Sequence, residues 1–456
     1  MNMDQDQAPN VVELSKAKKK RGSGSGEPTS DAALARAFID ECGHKLRYDP
    51  VAEKWSIFDG KIWRQDRTGT ASAMLLEGLA KSGIGSAKKV RDARALSQLD
   101  ARIIAPTELW NADPFLIGTP AGVLNLRAGT MLPPSPKHMV SLCTSIAPEF
   151  EPPSTWLTFL QEATRGNAAY VRYLQQLCGY LLTGSVHVEG FWFIYGDGGG
   201  GKGTFIDTFA ACLGEYGWKA ASRTILASKS ERHLSEIMAL RGRRMVYISE
   251  TPSGREWDIA RLKELTGGDP INANAMRSDG VNFLPTHKLI AMGNHAPSVP
   301  QIDNSIRRRF HILPFDNIVP ESRRDDTLKT RLKAELPRIL AWAIEGARDM
   351  LANGLVIPEI VREASEAYFS DEDGFTDWLS EKCDQGEQHD ESSTSLLTSW
   401  NGFRKGRGED TENHKTFAER LRRAGFIGFK RSHARWRGLQ LNSLSSASAS
   451  KHWERS

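Results

Sequence analysis

Residues 191–205 read FWFIYGDGGGGKGTF. Five apolar residues of strand length, Phe191 to Tyr195, run into a glycine loop, and FIDTFAACLG (205–214) continues with helical periodicity. The order is strand, loop, helix. The loop spells G-x-x-x-x-G-K, from Gly196 through Asp197, Gly198, Gly199 and Gly200 to Gly201 and Lys202. That composition suits a polyphosphate, because successive backbone N–H groups must approach it closely, side chains would obstruct them, and a following helix N-terminus adds positive dipole. Lys202 is the residue expected to reach the outer phosphates of ATP. A hydroxyl residue that holds Mg²⁺ normally follows this lysine; here Gly203 stands in its place and Thr204 comes next. The plain alternative is a flexible linker, but linkers are rarely set between a buried-type strand and an amphipathic helix.

Downstream, RRMVYISE (243–250) reads as a strand ending in Glu250, a carboxylate suited to hold Mg²⁺ and polarise an attacking water. LIAMGNHAP (289–297) is a second apolar run, ending at Asn294, either an amide that orients the water or a turn-forming residue. DNSIRRRFHILPF (303–315) sets Arg307, Arg308 and Arg309 ahead of another strand. Adjacent guanidiniums repel unless an anion meets them, so a γ-phosphate across a subunit boundary or a nucleic-acid backbone is expected, against the alternative of a solvated basic turn. Between these runs, INANAM, an SDG turn and VNFLP predict a β-hairpin flanked by Arg277, His287 and Lys288. Arg277 and Lys288 are the basic residues expected to contact DNA; a plain edge hairpin is the alternative.

Taken in order, GDGGGGKGTF, RRMVYISET, LKELTGGDPINANAMR, LIAMGNHAP and VPQIDNSIRRRFHILPF resemble the Walker A, Walker B, B-prime, sensor 1 and arginine-finger segments of superfamily 3 helicases of the poxvirus, phage and plasmid primase-helicase type. WSIFDGKIW and NADPFLIGTPAGVLNLRAGT resemble that family's N-terminal accessory region, and YFSDEDGFTDWLSEKC precedes a winged-helix-like tail, so the resemblance covers residues 50 to 442 or so. It implies an α/β fold: an AAA+-like P-loop ATPase core with an α+β N-terminal accessory domain and a C-terminal winged-helix-like domain. Lys202 would be the phosphate lysine, Glu250 the Walker B acid, Asn294 the sensor, and Arg308 and Arg309 the finger. Thr204 and Glu250 would serve Mg²⁺. The implied activity is ATP hydrolysis driving a homo-oligomeric, hexameric ring along single-stranded or forked DNA, with the Arg277 hairpin lining the channel. Asn274 and Gly203 depart from the family pattern, which often has Arg and a hydroxyl residue there. The stretch ahead of the ATPase lacks paired Asp motifs, so a separate primase or polymerase is the expected partner. Two other readings remain: a P-loop small-molecule kinase, and an ATP-binding replication adaptor that has lost hydrolysis.

The remainder of the chain divides by texture. Residues 1–30, with Lys16, Lys18, Lys19, Lys20, Arg21 and GSGSG, predict a disordered basic arm; 31–150 the accessory domain; 151–330 the ATPase domain; 331–390 a helical connector; 391–442 the winged-helix-like domain; and 443–456 a disordered tail. Within 391–442, Arg423, Lys430, Arg431 and Arg435 cluster near Trp436 and predict a DNA-binding module, with a protein-docking module as the alternative. Over all 456 residues the net charge is only +4, so any nucleic-acid surface must be local. No window holds the 18 or so consecutive apolar residues of a membrane span, and five scattered cysteines suggest no disulfide framework. A cytoplasmic location is expected.

Overall fold

The computed structural model describes residues 30–442 apart from 82–85, 228–233, 253–254, 275–279, 295–296, 298, 300–302, 373, 408–410 and 432. The predicted arm as far as residue 29 and the predicted tail lie outside the described residues, as does Arg277. The chain forms two compact units, one comprising the residues up to Ile57 together with Gln65–Pro106, the other Phe58–Arg64 with everything from Thr107 onward. In the first, the helix Asp31–Cys42 starts at Ser30, whose side chain accepts from the Ala33 N–H, and buries Leu34, Phe38 and Ile39 against Leu46, Trp55, Leu75 and Leu79.

The second unit is built on a five-stranded parallel sheet: β1 (Phe191–Tyr195), β2 (Gly217–Lys219), β3 (Met245–Ile248), β4 (Lys288–Gly293) and β5 (Phe310–Pro314), in the spatial order β5-β1-β4-β3-β2. Parallel strands joined by crossovers are covered on both faces, which is why the inner strands β1, β4 and β3 read as mostly apolar runs. Alternate residues of β1 enter two different cores. Trp192 and Ile194 face one with Met245, Ile290 and Leu313, whereas Phe191 and Phe193 face the other with Val246, Leu289, Ala291 and Ile312.

The flanking helices include α1 (Ser154–Ala163), α2 (Ala168–Leu182), α3 (Lys202–Leu213), α4 (Ile259–Thr266), α5 (Leu336–Asn353) and α6 (Glu359–Glu372). α1, α2, α3 and α5 supply the first core; α4 and α6 contribute Leu262, Leu265, Tyr368 and Phe369 to the second. α5, assigned by sequence to a connector, is instead integral to the core. It meets α2 at backbone distance: a Cβ on Gly179 would lie 2.0 Å from the Ala347 nitrogen, and one on Gly346 2.1 Å from the Gln175 carbonyl oxygen.

The predicted hairpin pairs Ile271–Asn274 with Gly280–Phe283, antiparallel. Near the C-terminus, Ile427–Lys430 and Ala434–Leu441 form the basic two-stranded ribbon, and Cys383–Ser392 joins its other side as a third strand. That third strand falls where a helical connector was expected. Its sequence, CDQGEQHDES, is almost wholly polar, so no alternation of apolar residues announced it. Two helices, Ser393–Gly406 and His414–Arg423, complete this part around Trp378, Trp400, Phe417 and Trp436.

Candidate functional site

Parallel strands end on one edge of a sheet, and that edge gathers the motif residues. Tyr195 of β1 is aligned with Gly293 of β4, so Gly196 and Asn294 leave the sheet side by side; Ile248 of β3 is aligned with Ala291, which brings Glu250 up beside the end of β4. Crevices at the carboxyl ends of parallel strands are where open α/β sheets bind ligands. Here the crevice is a cleft of about 1470 Å³ whose walls include Gly198 to Thr204, Ser249, Glu250, Gly293 and Asn294.

The glycines of the loop have a packing reason beyond ligand approach. The strand β5 continues past the loop, and the Phe315 carbonyl oxygen would lie 2.3 Å from a Cβ on Gly196 and 2.1 Å from one on Gly200. Gly201 sits at φ 89°, a left-handed conformation that turns the chain into α3. As the N-cap of α3 it offers no side-chain acceptor, so the first-turn amides of this helix lack the capping partner that Ser30 gives to Asp31–Cys42, and Lys202, Gly203 and Thr204 line the cleft. An uncapped helix start at the end of a strand is an anion-binding arrangement.

Lys202 is only 8% exposed. Its Nζ donates to the carbonyls of Gly196 and, at 2.8 Å, Asp197, and desolvation lowers its pKa from the ordinary lysine value while Asp197 opposes that shift. Gly203 leaves room where the hydroxyl residue was expected: the nearest atoms to a Cβ there are Met292 Cε at 3.8 Å and Asp207 Oδ2 at 4.0 Å. Asp207, one turn along α3, also lines the cleft with its carboxylate and was not singled out by the sequence motifs. Nor were Thr155, Thr158 and Glu162 of α1, or Asn317, Arg323, Arg324 and Arg331 beyond β5, all on the same walls. They lie up to 130 residues from the loop in sequence, and no local pattern connects them to it.

The arginine run resolves into different roles. Arg309 is buried; its Nη1 donates to Ser305 O (3.1 Å) and Oγ (2.8 Å), and its Nη2 donates to Glu189. These contacts engage it within its own chain, which corrects its assignment as a finger. Arg308 keeps 69% of its side chain exposed, with Glu189 at 3.7 Å. Neither lines the cleft of its own chain.

Lys288 is a second correction. Expected on a DNA-binding flank, it is 2% exposed, donates to the Thr183 carbonyl, and lies 4.8 Å from the centre of the Tyr180 ring. Beside it Arg244, 1% exposed, donates to the carbonyls of Leu182, Pro114 (3.1 Å) and Leu116 (2.6 Å). Two cations thus cap the C-terminal carbonyls of α2, where the helix dipole favours positive charge. Desolvation, with the neighbouring Arg244 second, pushes the Lys288 pKa well below normal.

On the C-terminal ribbon, Lys430 and Arg431 are exposed, with the Arg431 guanidinium 5.9 Å from the Phe429 ring centre. Arg435 is committed to Asp390, through Nε at 2.9 Å and through Nη2, which removes it from the set of unpaired cations. The Arg423 side chain lies outside the described residues.

Two family models match parts of the chain. Residues 35–165 match the family model described as D5 N terminal like, and residues 194–309 match a family of unknown function (DUF5906). The chain is 25% identical over 303 residues to "Putative helicase L207/L206" of Acanthamoeba polyphaga mimivirus, covering 60% of this chain and 31% of that protein. It is also 25% identical over 176 residues to "Putative helicase 184R" of Invertebrate iridescent virus 6, covering 32% and 18%. The chain therefore spans less than a third of the length of these curated relatives. Among solved structures, "The apo structure of NrS-1 C terminal region (305-718)" superposes with a TM-score of 0.51 at 12% identity, covering 91% of this chain and 100% of that one, a likeness of fold alone. Over parts of its length the chain is thus similar to D5-like proteins and to viral proteins named as putative helicases. Among the described residues no helix is long and apolar enough to cross a membrane, and no disulfide joins any two of the five cysteines.

Proposed function

We propose that this chain is the ATP-hydrolysing motor of a replicative DNA helicase, of superfamily 3 type, with an AAA+-like P-loop core. The observation that carries the reading is the convergence of the glycine loop, Lys202, Glu250 and Asn294 on one cleft at the carboxyl edge of a parallel sheet. The loop amides and the start of α3 bind the polyphosphate, Lys202 exchanges its two loop carbonyls for phosphate oxygens, Glu250 accepts a proton from the attacking water, and Asn294 orients that water.

Mg²⁺ fits this donor set through the nucleotide rather than by itself. Among the described residues there is no group of three or more His, Cys, Asp or Glu side chains able to hold a metal. Mg²⁺ is usually held by one or two carboxylates plus substrate phosphates, and Thr204, Asp207 and Glu250 all line the cleft. When bound, the ion would neutralise charge on the phosphates.

Arg308 is exposed and off its own cleft, which supports a finger that reaches the cleft of a neighbouring subunit in a homo-oligomeric ring. DNA is engaged by the Ile271–Phe283 hairpin and by the C-terminal ribbon, read as the wing of a winged helix; the N-terminal accessory part and a separate primase or polymerase complete the replication assembly. The test is ATP hydrolysis with and without single-stranded DNA, joined to a strand-displacement assay on a forked substrate. Hydrolysis stimulated by DNA and coupled to displacement is the expected result. Nucleotide binding without turnover would identify the adaptor that Gly203 leaves open, and turnover indifferent to DNA would overturn the helicase reading.

A further inference from the structure

The cleft carries a cation on the glycine loop that no motif assigns. Beyond β5, residues 315–324 lie as a strap across the loop. The Phe315 N–H donates to Tyr195 O (2.8 Å) and the Val319 N–H to Gly199 O (3.4 Å). Asn317 Nδ2 donates to Glu162 O (2.6 Å) and Arg323 Nη2 to Glu162 Oε1 (3.1 Å), which ties the strap to α1 on the cleft's far wall. At the end of the strap, Arg324 folds back over the loop. Its Nε donates to Val319 O (3.3 Å), and its Nη2 is 3.1 Å from the point where a side chain on Gly199 would begin.

The three cleft-lining arginines differ in how their charge is met. Arg323 is paired with Glu162 and Arg331 with Asp325, whereas Arg324 has no carboxylate partner among the described residues. A guanidinium held by its Nε against the backbone, with its Nη2 turned to a glycine loop, is set up for an oxyanion. The Lys202 ammonium is spent on two loop carbonyls until a ligand draws it away, so the Arg324 charge beside Gly199 is already available to an incoming polyphosphate.

We propose that Arg324 is a second phosphate-binding residue of the cleft, contributed by the same chain as Lys202 and distinct from the exposed Arg308. The proposal rests on the reading of the loop as a nucleotide site. Arg324 bonds non-bridging oxygens of the nucleotide's phosphates and so discriminates ATP from adenosine. Gly199 sits at φ 95°, a left-handed conformation that favours glycine, and its lack of a side chain leaves the guanidinium close to the loop backbone.

The test is the affinity of the full chain for ATP and for adenosine, measured by calorimetry for the wild type, Arg324→Ala, Arg324→Lys and Lys202→Ala, with thermal melting to verify folding. Losing a hydrogen-bonded charge should weaken ATP about ten-fold or more in Arg324→Ala. Arg324→Lys should recover part of that loss, and adenosine should bind all four proteins equally. ATP affinity within two-fold of wild type in Arg324→Ala, with Lys202→Ala impaired, would overturn the role of Arg324 and leave the nucleotide site standing. Parallel losses for ATP and adenosine would also overturn it, by making Arg324 a part of the cleft's structure. If neither variant alters ATP binding, the nucleotide reading itself falls.

Discussion

Arg309 and Glu189 are bonded across the entrance to the central sheet, joining the residue just before β5 to the residue two before β1. Arg308 reaches the same carboxylate at 3.7 Å but stays 69% exposed, so consecutive arginines are divided between a buried strut and a solvent-facing group. Arg309→Ala should therefore cost about 1–3 kcal/mol of stability, since Glu189 and Ser305 lose their partner. Arg308→Ala should stay within about 0.5 kcal/mol of wild type in denaturant unfolding yet hydrolyse ATP far more slowly. Matching stabilities for the two variants would contradict this division.

The contact between α2 and α5 leaves no room for a methyl group at Gly179 or Gly346. Either helix must move if alanine is introduced, and overpacking of this kind costs about 3 kcal/mol or more at a backbone contact. Gly179→Ala is expected to lower the urea midpoint, whereas alanine at Gly402, with nothing within 4 Å of its Cβ, should not.

How much of this was legible beforehand follows from range. β1, the loop and α3 are contiguous, so their pattern predicts strand, loop and helix without knowledge of the rest. The placement of Glu250 and Asn294 was legible too, because a buried parallel strand announces itself as an apolar run and its carboxyl end follows. The strap was not: Phe315 and Arg324 meet the loop only through the β5-β1 pairing, and the polar run 316–326 resembles any connection. Lys288 misled because a lysine beside a hairpin normally faces solvent; only the tertiary structure reveals that α2 ends against it. Cys383–Ser392 became a strand through pairing with Ala434–Leu441, a non-local cause.

Acid should loosen the sheet through His311. It is buried in β5, stacked on Trp192 at 5.3 Å between ring centres, and desolvation lowers its pKa from 6.5 to about 4. Between those values the unfolded chain binds a proton that the folded chain refuses, so stability falls as pH drops from about 6.5 to 4, by up to about 1.4 kcal/mol per pH unit from this group. His287, lowered to about 3 mainly by burial, acts in the same direction and remains in both proteins compared. His311→Phe should show the shallower profile of unfolding free energy against pH; superimposable profiles would rule out the histidine as a source.

The ribbon and the buried lysine give opposite expectations for DNA. Lys430→Ala with Arg431→Ala removes two exposed cations beside Phe429, so affinity for single-stranded DNA should fall and the log–log salt slope should shrink by about 0.7 per lost contact. Lys288→Met removes a charge that DNA cannot touch. Its effect should appear in thermal melting and leave the salt slope unaltered. A slope unchanged in the double variant would favour a protein-docking role for this part of the chain.

Binding and chemistry separate at Lys202 and Glu250. Lys202 lies in the loop with its ammonium on two carbonyls, and a polyphosphate would claim that ammonium directly; Glu250 stands exposed at the end of β3, on the opposite side of β4 from the loop strand. Lys202→Ala should thus lose ATP affinity and turnover together. Glu250→Gln keeps the shape and a polar contact but no longer accepts a proton, so it should bind ATP within a few-fold of wild type and hydrolyse it about a hundred-fold or more slowly. Single-turnover hydrolysis alongside equilibrium binding distinguishes the two. Equal losses of affinity and turnover in Glu250→Gln would make the carboxylate a structural or binding group, and the attacking water would then have to be activated from elsewhere on the cleft, with Asp207 the nearest unassigned acid to Gly203.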